Sequence, residues 1–81
     1  MQEIGTVDVG DVIAHCCAFD KSGKQLIVGC SDGEVKIINL ENNSVAGQFK
    51  AHEGSVNDLV VNQDNEFVYT VGNDGQIKSW K

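Results

Sequence analysis

The chain has 81 residues, of which 41% are hydrophobic and 22% charged, and twelve acidic residues against six lysines give it a net charge of −6. Nucleic acids and anionic membranes are bound by clustered Lys and Arg; since these lysines are scattered, we expect neither as a partner. The longest uncharged apolar stretch, Val12–Phe19, is far shorter than the ~20 residues that span a bilayer. No secretory leader is visible, and three cysteines do not make a disulfide framework. We therefore expect a cytoplasmic protein.

The predicted elements are all β-strands, and they occur twice in the same order: one short polar strand, then three more apolar ones. Asp32-Gly33 and Asp74-Gly75 each lie between two apolar runs, which predicts hairpins with type I′ turns. In chain order the predicted strands are Ile4–Asp8, Val12–Phe19, Gln25–Cys30, Glu34–Leu40, Val45–Lys50, Val56–Val61, Phe67–Gly72 and Gln76–Lys81.

The two halves repeat with a period of 42 residues. This offset places Asp32 on Asp74 and Lys36 on Lys78, and it lies in the range of about 40–45 residues that is typical of four-stranded propeller blades. Several predicted strands are apolar throughout, as in sheets covered on both faces. The sequence therefore predicts an all-β protein: two four-stranded antiparallel blades of a β-propeller, at residues 1–39 and 40–81.

The second half resembles a WD repeat. The segment Ala51–Val56 resembles the His-containing start of such a repeat, and Asn73–Trp80 resembles its Asp-containing turn and its Trp strand. The resemblance implies a structural tetrad of hydrogen-bonded side chains, at His52, Thr70, Asp74 and Trp80. The corresponding residues of the first half are Gly10, Val28, Asp32 and Ile38, so only the aspartate is kept.

The first half has a second resemblance. Its segments Gly5–Gly10, Ala18–Gly23 and Ser31–Lys36 lack the usual His and Trp, and they are similar to the penultimate repeat of the central-apparatus WD proteins of motile cilia. This resemblance implies a scaffold of the ciliary axoneme, and hence a cytoskeletal location within the cytoplasm.

The residues that could form a catalytic or metal site also have structural explanations. His52, Asp74 and Thr70 are the residue types of a nucleophile–base–acid set, but the tetrad accounts for all three, so no catalytic residue is predicted. Zinc sites usually contain Cys pairs separated by two to four residues. The set His15, Cys16, Cys17 and Cys30 lacks such pairs, so the cysteines are predicted to be reduced, metal-free core residues, and no cofactor is expected. Asp58, inside an apolar run, is predicted to accept hydrogen bonds from a neighbouring blade.

The predicted function is a non-catalytic protein-interaction scaffold. Loops at one end of the blades form the candidate partner-binding face, and their acidic residues favour a basic protein surface. Two blades leave apolar faces uncovered, so further blades are expected, in cis within a larger propeller or, alternatively, in trans from other copies in a ligand-binding ring. A Cys/His metal or redox protein is the third alternative. The residues of the candidate face are Asp11, Val12, Ser31, Glu53, Ser55 and Asn73.

Overall fold

Seven β-strands form two antiparallel sheets in the computed structural model, which describes residues 2–3, 5–62, 64 and 67–81. The first sheet has the order β1-β2-β3-β4 and the second has the order β5-β6-β7. No helix occurs among the described residues, and the predicted all-β class is confirmed. The strands are β1 (Ala14–Phe19), β2 (Gln25–Cys30), β3 (Glu34–Asn39), β4 (Ser44–Lys50), β5 (Val56–Asn62), β6 (Phe67–Gly72) and β7 (Ile77–Trp80).

The second sheet has three strands where four were predicted, because the polar strand of each repeat pairs with the sheet before it. Strand β4 lies beside β3, with Val35 opposite Phe49 and Ile37 opposite Gly47. The first sheet therefore extends across the repeat limit at residues 39 and 40. The predicted strand Ile4–Asp8 was wrong for residues 5–8, which lie outside any strand; Ile4 lies outside the described residues.

The two Asp-Gly turns differ from the predicted type I′ geometry. Only the glycines have positive φ, 86° at Gly33 and 80° at Gly75, whereas a type I′ turn also needs positive φ at the preceding residue. The N–H of Gly33 donates to the carbonyl of Cys30, which closes a four-residue turn that ends in a left-handed glycine. The Asp32 carboxylate accepts the N–H of Glu34 at 3.0 Å and braces the turn.

Apolar side chains form two clusters, one on each face of the first sheet. The inner cluster fills the space between the sheets, where Phe49 of β4 and Trp80 of β7 have ring centroids 4.7 Å apart. The outer cluster lies on the opposite face of the first sheet and is covered by the segment that precedes β1. Members of the inner cluster are Ile27, Val35, Ala51, Val56 and Leu59; those of the outer cluster are Val28, Cys30 and Ile38, with Val7, Val9 and Val12 packed on them.

Candidate functional site

The four tetrad positions of the second repeat lie within hydrogen-bonding distance of one another. His52 follows β4, Thr70 lies in β6, Asp74 in the β6–β7 turn and Trp80 in β7. The indole N–H of Trp80 donates to Thr70 Oγ1 at 3.0 Å, and Thr70 Oγ1 lies 2.8 Å from His52 Nε2. On the other side of the ring, His52 Nδ1 lies 3.0 Å from Asp74 Oδ1.

The partners of this network fix where the imidazole carries its proton. Because the Asp74 carboxylate only accepts, the ring donates from Nδ1, and in the neutral imidazole Nε2 then accepts the Thr70 hydroxyl proton. Burial raises the pKa of Asp74, but hydrogen bonds from the Gln76 N–H, His52 and the Glu53 N–H outweigh it and hold that pKa below its ordinary value of 3.8. An ionised Asp74 thus orients a ring that is only 1% exposed, over a threonine that is 0% exposed.

Gly72 leaves the space in which the imidazole sits. A Cβ on Gly72 would lie 2.2 Å from His52 Nδ1 and 2.6 Å from Asp74 Oδ1, so no side chain fits there. The first repeat shows the reverse arrangement, because Gly10 stands at the position of His52 and the fully buried Cys30 stands at that of Gly72. Val28 and Ile38, at the threonine and tryptophan positions, are buried beside Cys30 in the outer cluster.

In each repeat, one lysine binds the segment that precedes the sheet. This role was not predicted from the sequence. Lys36 Nζ donates to the carbonyl of Val9 at 2.6 Å, and Lys78 Nζ donates to that of Ala51 at 2.9 Å. Donor and acceptor are each displaced by the 42-residue period. The signal was present in the sequence, since Lys36 and Lys78 are identical at that offset, but a carbonyl acceptor leaves no mark in the sequence.

The candidate Cys/His set does not converge. Cys30 is buried and Cys16 half-buried, and burial is the main reason that the pKa of each thiol is raised. The prediction that all three cysteines are core residues was wrong for Cys17, which is exposed because it lies on the face of β1 that the second sheet does not cover. No group of three metal-ligating side chains occurs among the residues that the structure describes.

The predicted contact of Asp58 with a neighbouring blade stays a prediction, since Asp58 lies on the face of the second sheet that points away from the first. Its carboxylate accepts the backbone N–H of Leu59 at 2.8 Å, so its described partner is its own strand rather than a neighbouring sheet. The side chain lies on the outward face of the second sheet, where it is exposed to water. Among all the residues that the structure describes, no helix is long and apolar enough to cross a membrane.

The six residues of the candidate partner-binding face lie at one end of the sheets, but only half of them are exposed. Asp11, Glu53 and Asn73 are exposed. The other three are engaged within the chain. Ser31 Oγ accepts the N–H of Ile13 at 2.9 Å, the Ser55 hydroxyl donates to Asn57, and Val12 packs against the outer cluster.

Two sheets stacked across an apolar layer, with a His–Thr–Asp–Trp network in the second, define a WD-repeat β-propeller module. The chain belongs to the WD40 family: residues 1–64 match the domain described as "Anaphase-promoting complex subunit 4 WD40 domain". The prediction of a WD-repeat protein is confirmed.

Known proteins agree with this assignment. WD repeat-containing protein 91 of Gallus gallus is 32% identical over 69 residues, which are 85% of this chain; the Danio rerio protein of that name is 30% identical over 74 residues, or 91% of this chain. The chain spans only 9–10% of the length of these relatives. The β-propeller domain of Myceliophteria thermophila Cps50 (Swd1) superposes with a TM-score of 0.80 at 18% identity, covering 84% of this chain and 22% of that one, and shows the fold.

Proposed function

We propose that this module is a non-catalytic scaffold that binds a basic segment of a partner protein. WD-repeat propellers are in general protein-interaction scaffolds. The proposal that the partner segment is basic rests on the negative charge at one end of the sheets. This loop end contains the β2–β3 and β6–β7 turns and the segments that lead into β1 and β5. Its exposed acidic residues are Asp8, Asp11, Asp32, Glu53 and Asp74.

The five exposed carboxylates outnumber the three lysines at the loop end, and these lysines are turned toward the main chain. Lys36 and Lys78 bind the carbonyls described above, and Lys50 Nζ donates to the carbonyl of Asp32 at 2.8 Å. The loops at the opposite end carry a balanced set among the described residues: Asp20, Glu41 and Asp64 with Lys21, Lys24 and Lys81. A basic segment would be attracted to the loop end alone.

The absence of catalysis is part of the proposal. Thr70, His52 and Asp74 have the distances of a nucleophile, a base and an orienting acid, yet the hydroxyl is 0% exposed and the imidazole 1% exposed. The hydroxyl oxygen already accepts the Trp80 N–H. Because a nucleophile must reach a substrate carbonyl, burial on this scale supports a structural role.

Titration with a lysine-rich peptide tests the binding proposal. Glu53→Lys should weaken binding, and the weakening should fade as salt rises because the attraction is screened. Glu41→Lys is the matched control: it makes the same charge change at an exposed position of the opposite end and should leave binding unchanged. Equal effects of the two substitutions would show that net charge, rather than the loop end, controls the interaction.

For its setting, we propose a cytoplasmic protein in which these blades belong to a larger ring. The ring is supported by exposed apolar side chains on the outward face of the second sheet, such as Val60 at 58% and Ile77 at 74% exposure. An axonemal position is supported only by the likeness of the first repeat to ciliary central-apparatus proteins. Imaging of the tagged protein in a ciliated cell tests it, and a signal that avoids the axoneme would remove the ciliary proposal while leaving the scaffold intact.

A further inference from the structure

The turn aspartates of the two repeats, Asp32 and Asp74, differ in how many hydrogen bonds their carboxylates accept. Asp74 accepts two main-chain N–H groups and the Nδ1–H of His52. Asp32, its counterpart by the 42-residue period, accepts one bond within the described part of the chain, from the N–H of Glu34 at 3.0 Å. The first repeat therefore keeps the carboxylate but lacks two of the three donors that engage it in the second.

The two missing donors belong to the segment before β1. Gly10 stands at the position of His52 and has no side chain that could donate. The N–H of the next residue, Asp11, makes no hydrogen bond to Asp32 in the part of the chain that the structure describes. Because Asp32 is an exposed residue, a donor from outside the chain can reach its carboxylate. The first repeat thus offers an acceptor where the second repeat has a closed internal contact.

A second carboxylate with an unmet acceptor lies beside Asp32. The N–H of Glu34 donates to Asp32, and Oε2 of the Glu34 side chain is buried without a hydrogen-bond partner among the described residues. Lys36, two residues further along β3, and Lys50, opposite Glu34 in β4, donate to main-chain carbonyls. A buried polar atom without a partner costs free energy, and a cation that donates hydrogen bonds is the group that best compensates a carboxylate oxygen. The two carboxylates therefore favour a cationic ligand.

We propose that an arginine of the partner segment binds at the first repeat and donates to Asp32 and Glu34, in place of the histidine that this repeat lacks. The inference rests on the proposed function and assigns the residues that recognise the basic segment. Arginine fits better than lysine because its planar guanidinium carries five donors in a fixed fork and can serve two carboxylates, whereas an ammonium is a compact point charge. Glu34 reaches the guanidinium by rotation of its flexible side chain. In the second repeat the equivalent contact is already made within the chain, since His52 donates to Asp74.

Two peptides test the inference by fluorescence anisotropy at physiological ionic strength: a lysine-rich peptide with one arginine, and the same peptide with lysine at that position. The wild type should bind the arginine peptide about tenfold more tightly, the scale of a hydrogen bond to a charged group. Asp32→Asn keeps an acceptor for the Glu34 N–H but removes the charge, and it should abolish this preference. Glu34→Gln introduces the residue type that the second repeat has at Gln76, and it should reduce the preference while leaving the turn carboxylate in place.

Asp11→Asn is the matched control, because it removes one negative charge from an exposed position of the same loop end. It should weaken the binding of both peptides equally and keep the preference for arginine. A thermal melt of each variant reports whether the fold is kept, and Glu34→Gln decides the matter if Asp32→Asn unfolds. Equal affinity of the wild type for the two peptides, or a preference unchanged by these substitutions, would overturn the inference and leave the scaffold function standing. Failure of both peptides to bind the wild type would overturn the proposed function as well.

Discussion

Replacing Thr70 with valine removes one hydroxyl and almost no volume, and it isolates the energy of the tetrad. The substitution leaves His52 Nε2 and the Trp80 N–H without their described partner. A buried polar group that loses its partner costs ~1–3 kcal/mol. His52 is 1% exposed and bears the full loss, whereas half-buried Trp80 has some access to water. We expect unfolding to be easier by ~2–4 kcal/mol, a large part of the ~5–15 kcal/mol of a typical domain.

Urea denaturation followed by tryptophan fluorescence measures this loss, since Trp80 is the single tryptophan of the chain. Protein concentration is held constant because assembly shifts apparent stability. Thr70→Ser is the decisive control: it keeps the hydroxyl and removes a methyl group, which costs about 1 kcal/mol. Valine should therefore be the worse replacement. If serine is worse, or if valine costs less than ~0.5 kcal/mol, packing holds this position and the tetrad does not act as a unit.

The first repeat provides a control of opposite sign. Val28 occupies the position of Thr70, but its surroundings in the outer cluster are apolar. Val28→Thr places a hydroxyl there without the imidazole and indole that would satisfy it, and such a group costs stability. The preferred order of valine and threonine should therefore be reversed between the two repeats, and the same preference in both would contradict the network.

Three other results are expected. Gly72→Ala should destabilise the second sheet because its methyl group overlaps the tetrad imidazole, whereas Gly47→Ala, with nothing within 4 Å, should be neutral; equal melting temperatures would contradict the overlap. The folded-state pKa of Asp74 lies below its ordinary 3.8. The stability that the ionised carboxylate contributes is therefore present above that value and is lost as pH falls through the folded pKa. Asp74→Asn should flatten the acid side of the profile of stability against pH. Thiol titration should label buried Cys30 only after unfolding, and a fast reaction of Cys30 in the folded protein would contradict its burial.

The strands could be predicted from the sequence because their signals are local. Gln25–Cys30 and Phe67–Gly72 have the predicted bounds, and the other observed strands lie within two residues of theirs. The Asp-Gly pairs located both hairpins correctly, although the turn type was wrong. A sequence pattern shows that a glycine is available for positive φ, but not how many residues of the turn share that conformation.

Burial of strand residues could not be predicted in the same way, because it depends on what lies across the sheet. Cys17 and Leu59 are equivalent by the repeat, yet Leu59 is 5% exposed and Cys17 is exposed. Leu59 faces the first sheet, whereas the face of Cys17 is only partly covered by the segment before β1. Alternation along a strand predicts which side a residue takes; it does not predict whether a neighbouring sheet occupies that side.

The two repeats place different residues where the leading segment meets the facing strand. This difference explains how the first repeat can lack the tetrad and keep the same backbone arrangement. A histidine before the sheet needs a glycine on the facing strand, as His52 needs Gly72. Where Gly10 stands at the histidine position, Cys30 stands at the glycine position, and its side chain is fully buried. The lysine that holds the preceding segment is kept in both repeats, at Lys36 and Lys78. The backbone frame therefore depends on the turn and the lysine, while the histidine and the residue facing it have to change together.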